Sequence, residues 1–85
     1  MRNNFKTIDT ITMRDVKDYM LRKEPFRWGS STAYVDGGQY VIMSYATVIA
    51  KINMDTNDLE YFDDSKYSNT TSRLQGFIKE VFLND

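Results

Sequence analysis

The chain has 85 residues, of which 11 are basic and 12 acidic, and a formal net charge of −1. This length accommodates one domain and leaves little room for a deep catalytic cleft. The absence of cysteine and histidine excludes disulfide bonds and thiolate metal sites, and it removes the most common general base and transition-metal ligand. No apolar run reaches the roughly 20 residues of a transmembrane helix. We therefore expect residues 1–85 to form a single domain without a membrane span.

The first predicted element is a helix over residues 12–23. Residues 1–10 have no clear period and are predicted to be a lead-in segment. Thr12 and Asp15 have the spacing of a capping box, in which each side chain accepts a hydrogen bond from the other residue's backbone N–H. Pro25 prevents the helix from continuing much further because proline lacks a backbone N–H and clashes with the preceding turn.

Residues 31–62 are predicted to form an antiparallel sheet. Residues 31–36 have the alternation of a strand, and the following Asp36-Gly37-Gly38 indicates a hairpin because glycines readily adopt the positive φ of tight turns. Residues 59–62 are predicted to return as a short strand along the segment before them. The sheet then has three strands, or four if its central segment is divided.

The central segment of this sheet is QYVIMSYATVIAKIN, residues 39–53. Its β-branched and aromatic composition favours a strand. The stretch 44–47 contains no Gly, Pro, Asn or Asp, so it lacks the residues that usually form tight turns. We therefore predict one long strand that bends near Tyr45, because fifteen extended residues would span about 50 Å and could not stay straight in so small a domain.

A second helix is predicted over residues 69–83. Ser68, Asn69 and Thr70 are its candidate N-caps because their side chains can accept from the first backbone N–H groups. The apolar residues that follow have the spacing of one helix face: Leu74, Phe77, Ile78, Val81 and Phe82. The predicted fold is therefore α+β, with an antiparallel sheet flanked by an N-terminal and a C-terminal helix.

Two segments resemble a known family: SYATVIA, residues 44–50, and YSNTTSR, residues 67–73, with Phe77 following. The family comprises small, mostly uncharacterised proteins of phages, plasmids and other mobile elements in Gram-positive bacteria, which pair an SYxTxIA strand with a YSxTTSR helix start. The resemblance covers residues 40–82. It implies expression in a bacterial host cytoplasm and a gene of the kind that encodes host-interaction proteins, but no established activity. Helix capping alone would also explain the hydroxyl side chains of residues 67–72.

The first functional hypothesis is a non-enzymatic protein that inhibits a host defence complex, as anti-CRISPR proteins do. Its partner would be a host protein or ribonucleoprotein complex such as a CRISPR effector. Carboxylates can occupy arginine-rich grooves that otherwise hold nucleic-acid phosphates. The predicted partner-binding residues are the acids around the last hairpin: Asp55, Asp58, Glu60, Asp63 and Asp64.

The alternative hypothesis is a nucleic-acid-binding accessory or regulatory protein. Residues 1–28 contain seven basic and four acidic residues, a balance of +3, whereas residues 29–85 contain four basic and eight acidic residues, a balance of −4. The candidate contacts in the basic segment are Arg14, Arg22, Lys23, Arg27 and, as a stacking platform, Trp28. The acidity of the whole chain argues against this hypothesis, and a single Trp in a small domain is more often part of the core.

No catalytic, cofactor or metal site is predicted. Asp63 and Asp64 with Lys66 and Tyr67 could form an acidic cluster beside a cation, but no nucleophile and base accompany them in a recognisable arrangement. The acids of residues 55–58 lack the mid-loop glycine and the downstream glutamate of a calcium loop, so they indicate a turn. A homodimer through a sheet edge, at residues 31–36 or 59–62, is a further expectation.

Overall fold

The computed structural model describes residues 8–83. Its elements in chain order are β1 (Asp9–Thr10), a 3₁₀ turn (Met13–Asp15), α1 (Val16–Leu21), β2 (Phe26–Trp28), β3 (Ser31–Asp36), β4 (Gln39–Ser44), β5 (Thr47–Asn53), β6 (Leu59–Phe62) and α2 (Asn69–Phe82). The α+β class is confirmed. The described residues contain a six-stranded sheet, so the prediction of three or four strands was too low.

The strands lie in the sheet in the order of the chain, β1 to β6. Strands β2 to β6 form an antiparallel meander, and β1 is parallel to β2. Sequence analysis missed β1 and β2 because strands of two and three residues are too short to show an alternating pattern. The rest of the predicted lead-in, residues 1–7, lies outside the described residues.

The prediction of one long strand over residues 39–53 is wrong. The chain reverses at Tyr45 and Ala46, and β4 pairs with β5 as a hairpin closed by Ser44 and Thr47. Tyr45 has a φ of 55°, a left-handed conformation that non-glycine residues rarely adopt. Its backbone N–H donates to the carbonyl oxygen of Ser30 at 2.8 Å. A contact from outside the hairpin therefore helps to hold a turn that has no typical turn residue.

The N-terminal helix is shorter than the predicted range 12–23. The chain forms a 3₁₀ turn before α1, and the predicted capping box is absent: the Thr12 hydroxyl donates to the Asp15 carboxylate at 3.5 Å, while the Asp15 N–H donates to the Thr12 carbonyl at 3.0 Å. At the other end, Lys23 has a φ of 51°. This left-handed residue ends the helical turn and directs the chain into β2.

The C-terminal helix and its cap are close to the prediction. Helix α2 covers Asn69–Phe82, and Ser68 is the N-cap, whose hydroxyl accepts from the Thr71 N–H at 3.2 Å. The Gln75 side chain is buried and donates to the carbonyl oxygens of Asp63 and Ser65, at 2.8 and 2.9 Å. These bonds attach α2 to the segment that leads into it.

Both helices pack on one face of the sheet. A row of buried side chains crosses this face from β2 to β5, and α1 and α2 cover it with four fully buried residues: Val16, Met20, Leu74 and Ile78. Complete burial of an aliphatic side chain of this size contributes about 1.5–3 kcal/mol. Tyr40 is also buried here, and its hydroxyl donates to the Glu24 carbonyl at 2.7 Å. Burial raises the pKa of Tyr40, which stays neutral.

The opposite face of the sheet carries side chains that alternate with those of the core. Cross-strand pairing places seven of them together, a set we call the open face: Thr32, Tyr34, Val41, Met43, Val48, Lys51 and Tyr61. Val41 is only 4% exposed, yet it does not belong to the core cluster that α1 and α2 cover. Tyr61 is 46% exposed. Within the described residues, neither helix packs on this face.

Strand β3 is an internal strand and not the predicted sheet edge. It lies between β2 and β4, although β2 pairs only with its first three residues. The other predicted edge is correct, because β6 is the last strand of the described sheet.

Candidate functional site: a cavity between the β4–β5 turn and helix α2

The two segments that carry the family resemblance meet in the folded chain. Residues 44–50 form the β4–β5 turn and the first half of β5, whereas residues 67–73 form the N-terminal end of α2. They are joined by a hydrogen bond of 2.7 Å between the hydroxyls of Ser44 and Thr71, which are 3% and 2% exposed. Two residues that are 27 positions apart in the sequence, Ser44 and Thr71, therefore join the two segments into one local structure.

A cavity of about 360 Å³ lies between these segments. It is lined by Ser44, Tyr45, Thr47, Ile49, Tyr67, Ser68 and Thr71. Tyr45 is 73% exposed and Tyr67 is also exposed, so their rings stand in solvent, whereas Ser44 and Thr71 are buried. The cavity thus combines two accessible aromatic rings with buried hydroxyl groups.

The hydroxyl groups of the cavity bond mainly to each other. The Ser68 hydroxyl donates to the Thr71 hydroxyl oxygen at 3.2 Å, and the latter is also bonded to Ser44. Within residues 8–83, no carboxylate accepts from Ser44, Ser68 or Thr71. A hydroxyl needs such a base to become a strong nucleophile. The arrangement therefore offers hydrogen-bonding groups and apolar walls to a ligand, and no activated nucleophile.

Tyr67 at the cavity is bonded to an acid. Its hydroxyl donates to the Asp63 carboxylate at 2.5 Å, and the Ser65 N–H donates to the other Asp63 oxygen at 2.9 Å. The bond from Tyr67 is the main cause that lowers the pKa of Asp63, with the Ser65 bonds contributing, and the same bond raises the pKa of Tyr67. The Asp63 carboxylate therefore stays charged and accepts these hydrogen bonds. Its lowered pKa also makes it a weak base, which is poorly suited to taking up a proton in catalysis.

Ser31 is a buried neighbour of this site that sequence analysis did not identify. It pairs across the sheet with Ser44, and its hydroxyl has no hydrogen-bond partner within residues 8–83. The sequence gives no sign that Ser31 lies beside Ser44. Only the pairing of β3 with β4 brings the two hydroxyls to the same face.

The structure separates the five predicted acids into two groups at opposite ends of β6. Asp55 and Asp58 are exposed in the β5–β6 turn. Glu60 extends from a bulge in β6 and accepts from Gln39 at 2.7 Å and from Asn53 at 3.1 Å. Both hydrogen bonds lower the pKa of Glu60, and the bond from Asn53 has the larger effect. We call Asp55, Asp58 and Glu60 the acidic turn.

The remaining two acids follow the last residue of β6. Asp63 is bonded to Tyr67, and Asp64 forms an ion pair of 3.2 Å with Lys79 on α2. Both carboxylates therefore already have partners within the domain. The five acids do not form the single rim that sequence analysis predicted, because the extended strand between them holds the two groups apart.

The turn before β6 is held by an asparagine. The Asn53 side-chain oxygen accepts from the N–H groups of Asp55 and Thr56, at 2.8 and 2.9 Å. The Asn53 N–H donates to the Asp58 carbonyl at 2.8 Å. The polar side chains of residues 53–58 therefore serve to form a turn. Sequence analysis predicted a turn here and not a calcium-binding loop.

The basic candidates for nucleic-acid contact are also dispersed. Arg14 is exposed in the 3₁₀ turn. Arg22 lies over the Tyr19 ring at 5.2 Å and 3.8 Å from the Glu24 carboxylate. The Lys23 ammonium donates to the Asn57 side chain. Two of these three cations therefore already have polar or aromatic partners within the domain.

Arg27 and Trp28 point to opposite faces of the sheet, as adjacent residues of a strand do. Arg27 is exposed on the side of the open face, whereas Trp28 is half-buried and its ring centroid lies 5.7 Å from that of Phe77. Trp28 thus packs against α2 as a residue at the edge of the core. The structure does not bring the predicted stacking ring and the predicted phosphate contact together.

Comparisons with known proteins place the chain in a family. Residues 12–83 match the model of DUF8033, a family of unknown function, and the chain belongs to this family. No curated protein and no solved structure matches the chain. Of the helices in the described residues, none has the length and apolar character that crossing a bilayer requires.

Proposed function

We propose that this member of DUF8033 is a non-enzymatic binding protein that acts in a bacterial host cytoplasm as an inhibitor of a defence complex of the CRISPR type. It would bind a basic surface of that complex and exclude nucleic acid from it. The observation that supports this proposal is the acidic turn. Asp55 and Asp58 are exposed there, and within residues 8–83 neither carboxylate has a side-chain partner.

The backbone of the acidic turn is well suited to binding because it is already ordered. The two Asn53 side-chain bonds hold the first half of the turn, and the Met54 N–H donates to the Gly38 carbonyl of the neighbouring hairpin at 2.9 Å. An ordered turn loses little conformational entropy when a partner binds. The exposed carboxylates can then form charge-assisted bonds with arginine, which are about twice as strong as neutral ones.

Charge distribution supports the same partner chemistry. Residues 29–85 carry a balance of −4, and Glu60 adds a carboxylate whose hydrogen bonds from Asn53 and Gln39 favour its charged form. An acidic surface accelerates association with a basic one and disfavours binding to nucleic acid itself. The basic grooves of RNA-guided nucleases, which hold a heteroduplex by its backbone, have the required charge.

The test is target-DNA cleavage by a purified, guide-loaded CRISPR effector from a Gram-positive bacterium. The wild-type chain is expected to inhibit cleavage, and the double variant Asp55→Lys/Asp58→Lys is expected to lose about tenfold or more in inhibitory potency, since each reversal replaces attraction by repulsion. A control, Asp18→Lys/Glu80→Lys, changes the net charge equally on the helix side of the domain, although it also removes the 2.8 Å ion pair between Lys17 and Glu80, and it is expected to retain inhibition. The melting temperature of each variant verifies that it is folded.

Three results would contradict the proposal. Full inhibition by the acidic-turn variant would exclude this surface as the binding site. An equal loss in the control variant would show that only net charge matters. A gel shift of DNA or RNA by the chain alone at low salt would instead favour the nucleic-acid alternative and the residues Arg14, Arg22, Lys23, Arg27 and Trp28.

A further inference from the structure

We infer that the cavity between the β4–β5 turn and α2 is a binding site for a small uncharged nucleoside, whose base lies against the rings of Tyr45 and Tyr67. The cavity, of about 360 Å³, is within the size range of small-molecule sites in proteins. The seven described residues that line it all belong to segments 44–50 and 67–73. The acidic turn takes no part in this site, so the site and the proposed function are independent.

The first observation is that the Tyr45 ring stands beside the cavity without a partner of its own. Tyr45 has a φ of 55°, a conformation that asparagine or glycine adopts with less strain. It is 73% exposed, and among the described residues its ring has no aromatic and no cation–π partner. Backbone strain of this kind clusters at functional sites, including those that hold ligands. An exposed tyrosine ring is also a surface on which a base can stack.

Tyr67 places a second ring at the same cavity. It is 46% exposed, and the bond from its hydroxyl to the Asp63 carboxylate holds the end of its side chain. A side chain that is already held loses little conformational entropy when a ligand binds. In the described part of the chain, the rings of Tyr45 and Tyr67 do not stack on each other. Both rings are therefore available to a planar ligand.

The buried hydroxyls of the cavity leave one hydrogen-bond donor without an acceptor. Ser44, Ser68 and Thr71 carry three hydroxyl protons, but only two hydrogen bonds join their oxygens. Ser68 donates to Thr71, and within residues 8–83 none of the three hydroxyls donates to any other group. The unpaired proton therefore belongs to Ser44 or Thr71, which are 3% and 2% exposed. An acceptor on the edge of a base can satisfy this donor, whose burial is otherwise costly.

The lining of the cavity favours an uncharged ligand. None of the described residues that line it is charged. At its edge, the Tyr67 hydroxyl is bonded to the carboxylate of Asp63. A phosphate group would approach this negative charge and would find no arginine or lysine in the lining to bind it. The site therefore suits a nucleoside better than a nucleotide or a nucleic-acid strand.

The experiment is an NMR titration of the ¹⁵N-labelled chain with four uncharged nucleosides: uridine, cytidine, adenosine and inosine. We expect at least one of them to bind with a dissociation constant of about 1 mM or tighter. The amide signals that shift are expected to belong to residues 44–50 and 67–73. The 5′-monophosphate of the nucleoside that binds best is expected to bind about fivefold or more weakly, because its phosphate is repelled by Asp63.

Variants of Tyr45 separate binding from folding. Tyr45→Asn removes the ring and is expected to weaken nucleoside binding about tenfold or more. Its melting temperature is expected to stay the same or rise, because asparagine tolerates the left-handed conformation better than tyrosine does. Tyr45→Phe keeps the ring and is expected to bind as the wild type does. The matched control Tyr34→Thr removes a tyrosine ring outside the cavity and is also expected to retain binding.

Four results would overturn this assignment of the cavity. If none of the four nucleosides binds with a dissociation constant of about 1 mM or tighter, the cavity is not a nucleoside site. Shifts centred outside the two segments would place the ligand elsewhere. A monophosphate that binds as tightly as its nucleoside would exclude a preference for uncharged ligands. Undiminished binding by Tyr45→Asn, or an equal loss in Tyr34→Thr, would exclude stacking on the Tyr45 ring.

Discussion

The two faces of the sheet differ in what covers them, although the same strands supply both. Ile42 on β4 is fully buried beneath the helices, whereas its neighbour Met43 on the open face remains partly exposed. The apolar character of residues 39–53 therefore does not identify the core by itself. Only the position of α1 and α2 decides which alternate residues of this segment become core and which remain on a surface.

The prediction with the largest expected effect compares the packing of the two faces directly. We expect Ile42→Ala to lower the free energy of unfolding by about 2–5 kcal/mol, because it creates a cavity in a packed core. Met43→Ala, the matched change on the open face, is expected to lower it by about 1 kcal/mol or less. Chemical denaturation at low protein concentration, where a dimer would dissociate, measures both. Equal losses would mean that the open face is as well packed as the core.

A second prediction compares two hydroxyls on the covered face. Ser44→Ala is expected to lower the free energy of unfolding by about 1–2 kcal/mol, because it removes the buried bond to Thr71. Ser31→Ala is the matched control. Its hydroxyl is buried without a partner in the described residues, so its removal is expected to be neutral or stabilising by up to about 1 kcal/mol. A loss at Ser31 as large as that at Ser44 would contradict this assignment.

The smallest expected effect concerns an exposed pair. Asp63 has a pKa below its ordinary value, so its contribution to stability is present above the pKa of the unfolded chain and is lost as the pH falls through the folded value. Tyr67 has a raised pKa, so its contribution is present below its unfolded pKa and is lost as the pH rises through the folded value.

Tyr67→Phe removes the hydroxyl that is the first cause of both shifts. The variant is therefore expected to lose less stability than the wild type between neutral pH and the acidic range, and also less above pH about 10. Unfolding free energies measured at a series of pH values test this expectation. If the wild type and the variant had parallel pH profiles, the bond between Tyr67 and Asp63 would not contribute to stability in solution.

Several elements were predictable because their signals are local. The apolar stripe correctly predicted α2 to within one residue of its end, and the structure selects Ser68 from the three candidate caps. The turn Asp36-Gly37-Gly38 joins β3 and β4 as expected, and Gly37 and Gly38 have φ values of 58° and 80°. In each case, neighbouring residues alone satisfy the backbone or favour its conformation.

The candidate site was only partly predictable. Its two segments, residues 44–50 and 67–73, were recognised by resemblance, but their sequences do not indicate that Ser44 and Thr71 form a hydrogen bond. The acids near β6 were identified as one cluster, yet an extended strand places successive residues about 3.3 Å apart, and its length separates Asp58 from Asp63. Proximity in sequence is therefore a poor guide to proximity along a strand.

The sequence by itself determined the α+β class, the C-terminal helix with three candidate caps, and the β3–β4 hairpin, because these depend on contacts within a few residues. The tertiary structure alone decided the reversal at Tyr45, the short strands β1 and β2, and the face that the helices cover. A left-handed tyrosine costs about 1–2 kcal/mol, and a three-residue strand has almost no stability of its own. Both persist because pairing with distant strands and burial under the two helices offset that cost.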